Sequence, residues 1–326
     1  MKFATLHNQT LDGSLLLVSR NLQWAVNASA IAPNLITVLQ QWQTLEAPLQ
    51  TLYGALNEGS AKGAIRFDPA LCAAPLPRSP QWCDGSAFLN HAGLMEQAFN
   101  TPPIPDINTI PLLYQGGSDD FLGPHVDVPL PSEADGIDFE GEFGVVLGAV
   151  PMSATPEQGL AAVRLIVQLN DWSLRAMGPR EMRTGFGFFQ AKPSSSFAPV
   201  AVTPDELGIA WQSGRVHLNL HVLSNGAWFG HPSGAEMSFS FGDLIAHAAR
   251  SRKLTAGTII GSGTVSNASR EVGSACIAER RVIEIIDCGG ATTSFMKFGD
   301  SVRMQAKWPD GRDGPFGVIE QRVVKA

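Results

Sequence analysis

The chain has 326 residues, 44% of them hydrophobic and 16% charged, a composition typical of a globular protein with one large core or two domains. Its formal net charge of −7 argues against a nucleic-acid-binding surface. No apolar run approaches the roughly 20 residues of a membrane-spanning helix, and the N-terminus lacks the apolar segment of a signal peptide, so we expect a cytoplasmic protein without a membrane span.

The N-terminal part of the sequence predicts a small β-rich domain with one helix. Residues 2–7 and 13–19 are expected to form two strands joined by a turn at Asp12-Gly13. Residues 34–57 carry apolar side chains at spacings of three and four, the pattern of an amphipathic helix. Prolines crowd residues 69–80 and suit a linker, so we place a boundary near residue 75, between domains 1–75 and 76–326.

The larger domain begins with a predicted helix over residues 84–99. Asp84 is expected to open this helix and His91 to lie on it, because apolar side chains recur at helical spacing. The stripe consists of Phe88, Ala92, Met95 and Phe99. On a helix, the seven residues from Asp84 to His91 would span about 10 Å along the axis.

The remainder of this domain is predicted to be mostly strands. Thr155, with proline at the next position, predicts the start of a short helix. An apolar strand follows and ends at Asp171. Strand-like runs then recur over residues 216–223, 257–265, 281–286, 300–308 and 317–324. The domain is therefore expected to be α+β with much antiparallel sheet.

Three carboxylates alternate in the stretch DFEGEFGVVLG at residues 138–148: Asp138, Glu140 and Glu142. Alternate residues of a strand point to the same face. Crowded carboxylates repel one another unless they face water or share a cation. A solvated strand face is the simpler interpretation of this stretch alone, and a metal site is the alternative.

Two further acids stand at positions that suit a metal site. Asp171 follows a buried strand that would deliver it to a sheet edge, and Asp84 precedes the helix of His91. An all-oxygen ligand set would select a hard cation such as Mg²⁺, Mn²⁺ or Ca²⁺. A helix cap for Asp84 and a turn for Asp171 are the ordinary alternatives.

Other catalytic and binding signatures are missing from the sequence. It has no GxSxG motif of an α/β-hydrolase and no HxH or HExxH pair for zinc, and GSGTVSN at 261–267 lacks the third glycine of a dinucleotide-binding loop. The cysteines show no CxxC spacing and are expected to be reduced thiols. They are Cys72, Cys83, Cys276 and Cys288.

A set of short strings, in order along the chain, resembles the fumarylacetoacetate hydrolase family. These strings are WCDGSAFLNHA, the EGE of DFEGEFGVVLG, NDWSLR, the lysine of QAKPSSS, and GSGTVSN, between residues 82 and 267. The resemblance implies a catalytic domain with a mostly antiparallel β-roll fold behind the small N-terminal domain. It also implies a homodimer.

The same resemblance implies roles for the acidic residues and their neighbours. Asp84, Glu140, Glu142 and Asp171 would hold the metal, most simply Mg²⁺ or Ca²⁺, with Asp138 outside the ligand set. His91 would be the base that deprotonates water, oriented by a carboxylate for which Glu279 is the first choice and Glu271 the second. Lys192 would stabilise the negative charge that develops on oxygen.

Positions that contact substrate in the family differ here. Ser86 stands where an aromatic hydroxyl is common, Asn100 where an arginine is expected, and Gly178 where a glutamine is expected. Ser195 and Ser196 replace a glycine and a threonine. Loss of a guanidinium that would pair with a carboxylate indicates a changed substrate tail.

Three side chains between residues 86 and 196 are predicted to contact substrate. Ser86 and Ser196 are expected to do so, as is Arg175, for which an ordinary surface salt bridge is the alternative.

These implications predict a metal-dependent hydrolase that cleaves a carbon–carbon bond in a 1,3-diketo acid, as in aromatic-compound or tyrosine catabolism. The first alternative is hydration, decarboxylation or isomerisation of a 2-oxo acid on the same scaffold. The second is a non-enzymatic relative that binds Ca²⁺ for stability. The expected partner is a small-molecule diketo or oxo acid.

Overall fold

The computed structural model describes residues 1–99, 102 and 104–326 and has an α+β architecture built mostly from antiparallel strands. This confirms the predicted fold class. None of the helices in these described ranges is long and apolar enough to cross a membrane. The predicted substitution at Asn100 lies outside the described residues.

The helices and strands are as follows. In the N-terminal part they are β1 (Lys2–Leu6), β2 (Ser14–Val18), β3 (Trp24–Asn27), α1 (Leu35–Gln40), α2 (Trp42–Asn57) and β4 (Ile65–Arg66). The middle part contains β5 (Trp82–Gly85), α3 (Leu89–Phe99), β6 (Leu113–Gly116), β7 (Val128–Leu130), β8 (Ile137–Asp138), β9 (Gly141–Leu147), α4 (Pro156–Ala161), β10 (Val163–Asn170), β11 (Ser173–Leu174), α5 (Gly178–Thr184), β12 (Ser196–Phe197) and β13 (Ala201–Val202). The C-terminal part contains β14 (Trp211–Gln212), β15 (Arg215–Val216), β16 (Asn219–Ser224), β17 (Ala227–Gly230), α6 (Phe241–Ala248), β18 (Ile259–Gly261), α7 (Ile277–Cys288), β19 (Ser301–Lys307) and β20 (Ile319–Lys325).

One large sheet joins the two parts of the chain, in the strand order β4-β3-β2-β1-β13-β10-β9-β18-β5-β6. The junction is the antiparallel pair β1–β13, in which Lys2 is opposite Val202. Phe3 and Leu15 share a buried cluster with Trp82 and Leu165, so the N-terminal strands pack on the same core as the larger part. The boundary near residue 75 stays a prediction.

The proline-rich stretch lacks long regular elements, as expected, but it is not a solvated linker. Its one regular turn is the 3₁₀ helix Pro69–Leu71. Ala74 and Leu76 beyond it are buried in the same cluster as the N-terminal strands. The proline-rich stretch is therefore a connecting segment that packs against the core.

A second sheet, in the order β17-β16-β19-β20-β7, covers the other side of the core. Strand β19 alternates buried and half-buried residues, with Val302, Met304 and Ala306 facing inward. Phe143 of β9 belongs to the same buried cluster. Packing between the two sheets fixes β9, which carries the acidic stretch, at the centre of the molecule.

Several predicted element boundaries agree with the structure. Gly13 has φ +59° in the first turn, a conformation that glycine adopts without strain. Thr155 caps α4 in a reciprocal capping box with Gln158. Strand β10 ends at Asn170, and Asp171 follows at once. The helix predicted over 34–57 is present as two helices, α1 and α2, which meet at Gln41 with φ −119°.

The strand predicted over residues 281–286 is wrong, because this run lies inside helix α7. The sulfur of Cys276 accepts a hydrogen bond from the backbone N–H of Glu279 at the start of this helix. Gly289, with φ +80°, ends it. The isoleucine and valine content suggested a strand, but the caps and the packing of α7 against α3 override this propensity.

The prediction that Asp84 opens a helix is also wrong. Asp84 lies in strand β5, where it is opposite Gly261 of the parallel neighbour β18 and Tyr114 of the antiparallel neighbour β6. Helix α3 begins five residues later, at Leu89. Backbone pairing on both sides of β5 therefore decides the conformation of Asp84, and the helical estimate of its distance from His91 does not apply.

Candidate active site

Four carboxylates from separate parts of the chain converge on the neighbouring strands β10, β9, β18 and β5 of the large sheet. Asp84 lies on β5, Glu142 on β9, Glu140 just before β9, and Asp171 just after β10. Each offers a carboxylate oxygen, and these four oxygens lie within 4.8 Å of one another. All four side chains are buried. The structure thus brings together all four residues predicted to bind metal.

The close approach of β18 to β5 shapes this cluster. Gly261 of β18 has no side chain, and a Cβ added there would lie 2.3 Å from Oδ1 of Asp84. The neighbouring Gly263 donates its backbone N–H to the same oxygen at 3.0 Å. The glycines of GSGTVSN therefore make room for a carboxylate, not for a dinucleotide.

Mutual repulsion of the carboxylates is the main electrostatic feature of the cluster. At this separation each like-charged pair costs about 3–4 kcal/mol for an effective dielectric constant of roughly 20. Burial, reinforced by Asp171, raises the pKa of Asp84 to about 8. Burial and the neighbouring Asp84 also raise the pKa of Glu142 well above its ordinary value. Without a cation, Asp84 and Glu142 therefore favour their protonated forms, whereas a bound cation would favour the ionised carboxylates.

Glu142 provides the best test of whether a cation fits this cluster. Both of its carboxylate oxygens are buried, and neither accepts a hydrogen bond from a residue that the structure describes. Buried polar atoms without partners are rare in proteins. A hard divalent cation such as Mg²⁺, Mn²⁺ or Ca²⁺ would supply the missing interaction, since all the available donors are carboxylate oxygens. The residues fit a metal ion.

Lys192 lies against the cluster, as expected for a residue near the reacting oxygens. Its Nζ donates to Oε2 of Glu140 at 2.5 Å and to Oδ2 of Asp171 at 2.7 Å. Burial alone would lower the pKa of Lys192, but Asp171 and Glu140 outweigh burial and raise it above the ordinary value. The side chain is therefore a fixed ammonium group.

Arg175 holds the opposite side of Glu140. Its Nη2 donates to Oε1 of Glu140 at 2.5 Å, and its Nε donates to Oδ2 of Asp138 at 2.8 Å. The two acids are buried, so the surface-salt-bridge alternative is wrong. Arg175 also lines the cavity described below, which leaves a contact with substrate open to it.

Asp138 lies outside the carboxylate cluster and joins it to helix α7. Its carboxylate accepts the backbone N–H groups of Ile277 at 2.7 Å and Ala278 at 2.9 Å, besides the bond from Arg175. These are the first two residues of α7, where unpaired N–H groups favour an acidic partner. Asp138 thus links the first turn of α7 to Arg175 and, through it, to Glu140.

His91 and Glu279 form a pair between helices α3 and α7. Nδ1 of His91 lies 2.7 Å from Oε2 of Glu279, whose side chain is 2% exposed. Glu279, and not Glu271, is the carboxylate at this histidine. The acid fixes which imidazole nitrogen carries a proton, because it can only accept a hydrogen bond at Nδ1 and so leaves Nε2 free to take a proton.

The residues with predicted substrate contacts divide into two groups. Ser86, Arg175 and Gly178 line the cavity. Ser196 does not, because it is fully buried in β12 and its Oγ accepts a hydrogen bond from Nε1 of Trp172 at 2.9 Å. The prediction for Ser196 is therefore corrected. The adjacent Ser195 is the one that reaches the cluster, donating to Oδ1 of Asp171 at 2.6 Å.

Tyr114 is a site residue that the sequence did not reveal. Its hydroxyl donates to Oδ2 of Asp171 at 2.5 Å, and burial raises the pKa of Tyr114, so that the phenol stays protonated. The residue lies on β6, opposite Asp84. Its only sequence signal is that the chain contains just two tyrosines.

These groups share one cavity of about 1060 Å³. Asp84, Glu140, Lys192, His91 and Tyr114 all line it. His91, with its acidic partner, and the carboxylate cluster that could hold a metal ion therefore face the same cavity. This arrangement can activate a water molecule or a C–H bond and stabilise negative charge on a substrate oxygen.

Comparisons with known proteins give matches to both parts of the chain. The family model for the fumarylacetoacetate (FAA) hydrolase C-terminal region matches residues 81–324, and the model for fumarylacetoacetase N-terminal domain 2 matches residues 1–78. A 2,4-didehydro-3-deoxy-L-rhamnonate hydrolase from Sphingomonas sp. (strain SKA58) is 28% identical over 165 residues, covering 50% of this chain and 54% of that protein. The oxaloacetate tautomerase YisK of Bacillus subtilis (strain 168) is 25% identical over 199 residues, covering 60% of this chain and 62% of that protein.

These matches span between half and two thirds of the length of the two curated relatives. Among solved structures, maleylpyruvate hydrolase from Sphingobium sp. SYK-6, in complex with manganese(II) ion and pyruvate, is similar with a TM-score of 0.66 and 16% identity, covering 100% of both chains. At that identity the likeness shows the fold alone. Together the two family models account for nearly the whole sequence, and the chain belongs to the fumarylacetoacetate hydrolase family.

Proposed function

We propose that this protein is a metal-dependent hydrolase that cleaves the carbon–carbon bond of a 1,3-diketo acid. The observation that carries the proposal is the pair His91–Glu279 on the same cavity as the carboxylate cluster and Lys192. A base and a site for negative charge in one cavity are the two things that this hydrolysis needs.

The residues that would hold the cation are Asp84, Glu140, Glu142 and Asp171. The chemistry supplied by a bound divalent cation is polarisation of the substrate's keto and carboxylate oxygens. Mg²⁺ is the proposed ion, with Mn²⁺ and Ca²⁺ as alternatives. The manganese and pyruvate bound to the related maleylpyruvate hydrolase support a divalent ion together with a 2-oxo acid.

His91 would act as the base. Its Nε2 takes a proton from water while the water oxygen adds to the carbonyl carbon that bears the substrate's tail. The bond from that carbon to the central methylene carbon then breaks, and its electron pair passes into an enolate. The proton held on His91 returns to the methylene carbon, so one water is consumed and two carboxylic acids are formed.

Lys192 would stabilise the enolate oxygen while the bond breaks. Its ammonium is already fixed by Glu140 and Asp171, so no reorganisation is needed when the negative charge develops. Glu279 would keep His91 in the required tautomer and stabilise the imidazolium form.

The second candidate is tautomerisation or isomerisation of a 2-oxo acid. The similarity to an oxaloacetate tautomerase favours it, and such a reaction would also use His91 to move a proton. It differs in consuming no water and breaking no carbon–carbon bond. A third possibility, a protein that binds Ca²⁺ only for stability, would show metal-dependent unfolding and no product.

A product assay separates these functions. The purified protein would be incubated with acetylpyruvate or with oxaloacetate, each with Mg²⁺, Mn²⁺, Ca²⁺ or a chelator, and the products quantified by chromatography. Hydrolysis predicts equal amounts of acetate and pyruvate from acetylpyruvate, with a chelator abolishing both. Interconversion of the keto and enol forms of oxaloacetate, without cleavage of acetylpyruvate, would establish the second candidate instead. The implied homodimer stays a prediction that light scattering can check.

A further inference from the structure

The cavity is larger than the reacting part of a diketo acid requires. Its volume is about 1060 Å³, whereas sites for whole drug-sized ligands occupy roughly 300–1,000 Å³. The cluster, Lys192 and His91 would occupy only the end that holds the dioxo acid head. Most of the cavity is therefore available to the rest of the substrate.

Helices α3 and α7 pack against each other and form the wall that leads away from the reacting end. Ala278 marks the near end of α7, because its N–H is bonded to Asp138 beside the cluster. Ile285 also lines the cavity, seven residues further along α7, which is about 10 Å at 1.5 Å per residue. On α3, Met95 lines the cavity one helical turn beyond His91.

This outer part of the cavity has a mostly apolar wall. The apolar residues lining it come from α3, α5, α7 and the loops between elements. They are Met95, Ile104, Leu112, Met182, Val282, Ile285 and Phe295.

The charges on this wall disfavour a second carboxylate. Beyond the reacting end, the described lining carries two acids, Glu96 and Glu133, and one cation, Arg281. Arg281 already donates to the backbone oxygen of Thr293 and lies 4.6 Å over the ring of Phe295.

We infer that the substrate carries a bulky, uncharged hydrocarbon or aryl tail, which binds between α3 and α7. This inference rests on the proposed function for the identity of the reacting head. An apolar tail would displace water from an apolar wall, whereas a carboxylate there would lose its hydration and meet two acids for one cation. The tail, and not a second acidic group, is then what the outer cavity recognises.

A matched pair of substrates tests the inference. Isocaproylpyruvate and succinylpyruvate have tails of nearly equal size and shape, ending in an isopropyl group and a carboxylate respectively, and acetylpyruvate has a methyl group only. With the Mg²⁺-loaded protein, we expect kcat/KM for isocaproylpyruvate to exceed that for each of the other two by roughly 10–100-fold. Equal values for the matched pair, or a preference for succinylpyruvate, would overturn the inference.

A binding measurement keeps the inference separate from the proposed reaction. α-Ketooctanoate and α-ketosuberate share the 2-oxo acid head, differ by one terminal carboxylate, and contain no bond for this reaction to cleave. Calorimetry with the Mg²⁺-loaded protein should show at least tenfold tighter binding of α-ketooctanoate. If no diketo acid is cleaved but this difference is found, the proposed reaction fails and the inferred tail stands. If α-ketosuberate binds as tightly, the inference fails whatever the reaction.

A substitution in the cavity wall provides a third test. Ile285→Lys places a cation at the outer end of the cavity and should reduce the ratio of kcat/KM for isocaproylpyruvate over succinylpyruvate by roughly tenfold or more. Ile286→Lys is the matched control, since Ile286 is the next residue of the same helix and is not among the residues lining the cavity. The control should keep the wild-type ratio. An unchanged ratio in Ile285→Lys would contradict the inferred position of the tail.

Discussion

Nδ1 of His91 and Oε2 of Glu279 lie 2.7 Å apart, although 188 residues separate them in the chain. The contact joins helix α3, which carries His91, to the first turn of α7. Asp138 is hydrogen-bonded to the start of α7, and Arg175 is hydrogen-bonded to both Asp138 and Glu140. The His91–Glu279 pair and the carboxylate cluster therefore belong to one connected network. The position of the base is thus tied to the position of the cluster.

Substituting either member of this pair tests the base assignment. His91→Ala should lower kcat by roughly 10²–10⁴-fold, the usual contribution of a general base, while leaving metal binding nearly intact. Glu279→Gln should lower kcat by a smaller factor, because imidazole remains but its orientation and charge stabilisation are weakened. The measurements are steady-state kinetics and calorimetric titration with Mg²⁺.

Glu271→Gln is the control for the pair. Glu271 lies in the 3₁₀ turn Arg270–Val272, and its side chain is exposed, so its substitution should leave turnover unchanged. Full activity in His91→Ala would remove histidine from the reaction, and loss of activity in Glu271→Gln would reopen the choice of partner.

Lys192 should matter to both chemistry and stability. Lys192→Met removes the ammonium between Glu140 and Asp171 and leaves two buried carboxylates without it, which should cost about 3–5 kcal/mol of unfolding free energy in metal-free protein. Added Mg²⁺ should recover much of this loss, but not turnover, since the fixed ammonium would still be missing. Chemical denaturation with and without Mg²⁺ provides the measurement. Wild-type turnover in Lys192→Met would exclude the proposed role.

Thiol reactivity should single out one of the four free cysteines. Burial raises the pKa of Cys72 to about 12 and that of Cys83 to about 11, and it raises the pKa of Cys276 well above its ordinary value. A thiol must lose its proton to react, so these three should stay unmodified at pH 8. Exposed Cys288 should therefore take up a single equivalent of iodoacetamide, as measured by intact mass. More than one equivalent in folded protein would contradict the burial of the others.

The four clustered carboxylates can be predicted from the sequence, because the ordered strings that resemble the family contain them. Asp84, Glu140, Glu142 and Asp171 each lie in a short recognisable segment, and their convergence needs no knowledge of the intervening chain. The sequence also indicates Glu279 as the partner of His91 through its position after GSGTVSN, although the run that follows it has the composition of a strand.

What the sequence missed depends on pairing between distant segments. The sequence predicts a helix at Asp84, because the apolar periodicity of α3 extends back toward it, whereas strands β6 and β18 on either side set its conformation. Tyr114 has no local signal and becomes a site residue only through the β5–β6 pair. The prediction for Ser196 differs from the structure by one position, since successive residues of an extended chain face opposite sides and Ser195 takes the side of the cluster.

Asp138 should act as a positioning residue that touches neither metal nor substrate. Asp138→Asn keeps the size of the side chain but removes the charge that Arg175 and the first turn of α7 share. Loss of charged hydrogen bonds of this kind costs about 1.5–3 kcal/mol each in stability. Because Glu279 lies on that turn, kcat should fall while KM changes little.

The readout that separates this role from simple destabilisation is the pH profile of kcat, measured well below the melting temperature. A displaced Glu279 should shift the acidic limb of Asp138→Asn, whereas a purely structural loss would scale the whole curve. Asp135→Asn, on a half-buried residue of the neighbouring 3₁₀ turn Glu133–Asp135, should retain the wild-type profile.

The two glutamates of the EGE segment should respond in opposite directions when metal is absent. Burial and the neighbouring Asp84 raise the pKa of Glu142, so this carboxyl must take up a proton when metal-free protein folds near pH 7. Glu142→Gln removes that cost and should raise the unfolding free energy of metal-free protein by about 1–3 kcal/mol. Glu140 is bonded to both Lys192 and Arg175, so Glu140→Gln should lower the unfolding free energy of metal-free protein by about 3–5 kcal/mol.

Each variant should lose most of the stabilisation that Mg²⁺ gives the wild type, because each removes a ligand charge. Denaturation of the three proteins in chelator and in Mg²⁺ checks both statements. A stabilising Glu142→Gln that still responded fully to Mg²⁺ would mean that the cation binds elsewhere, since the unpartnered Glu142 carboxylate is the main evidence for a cation in this cluster.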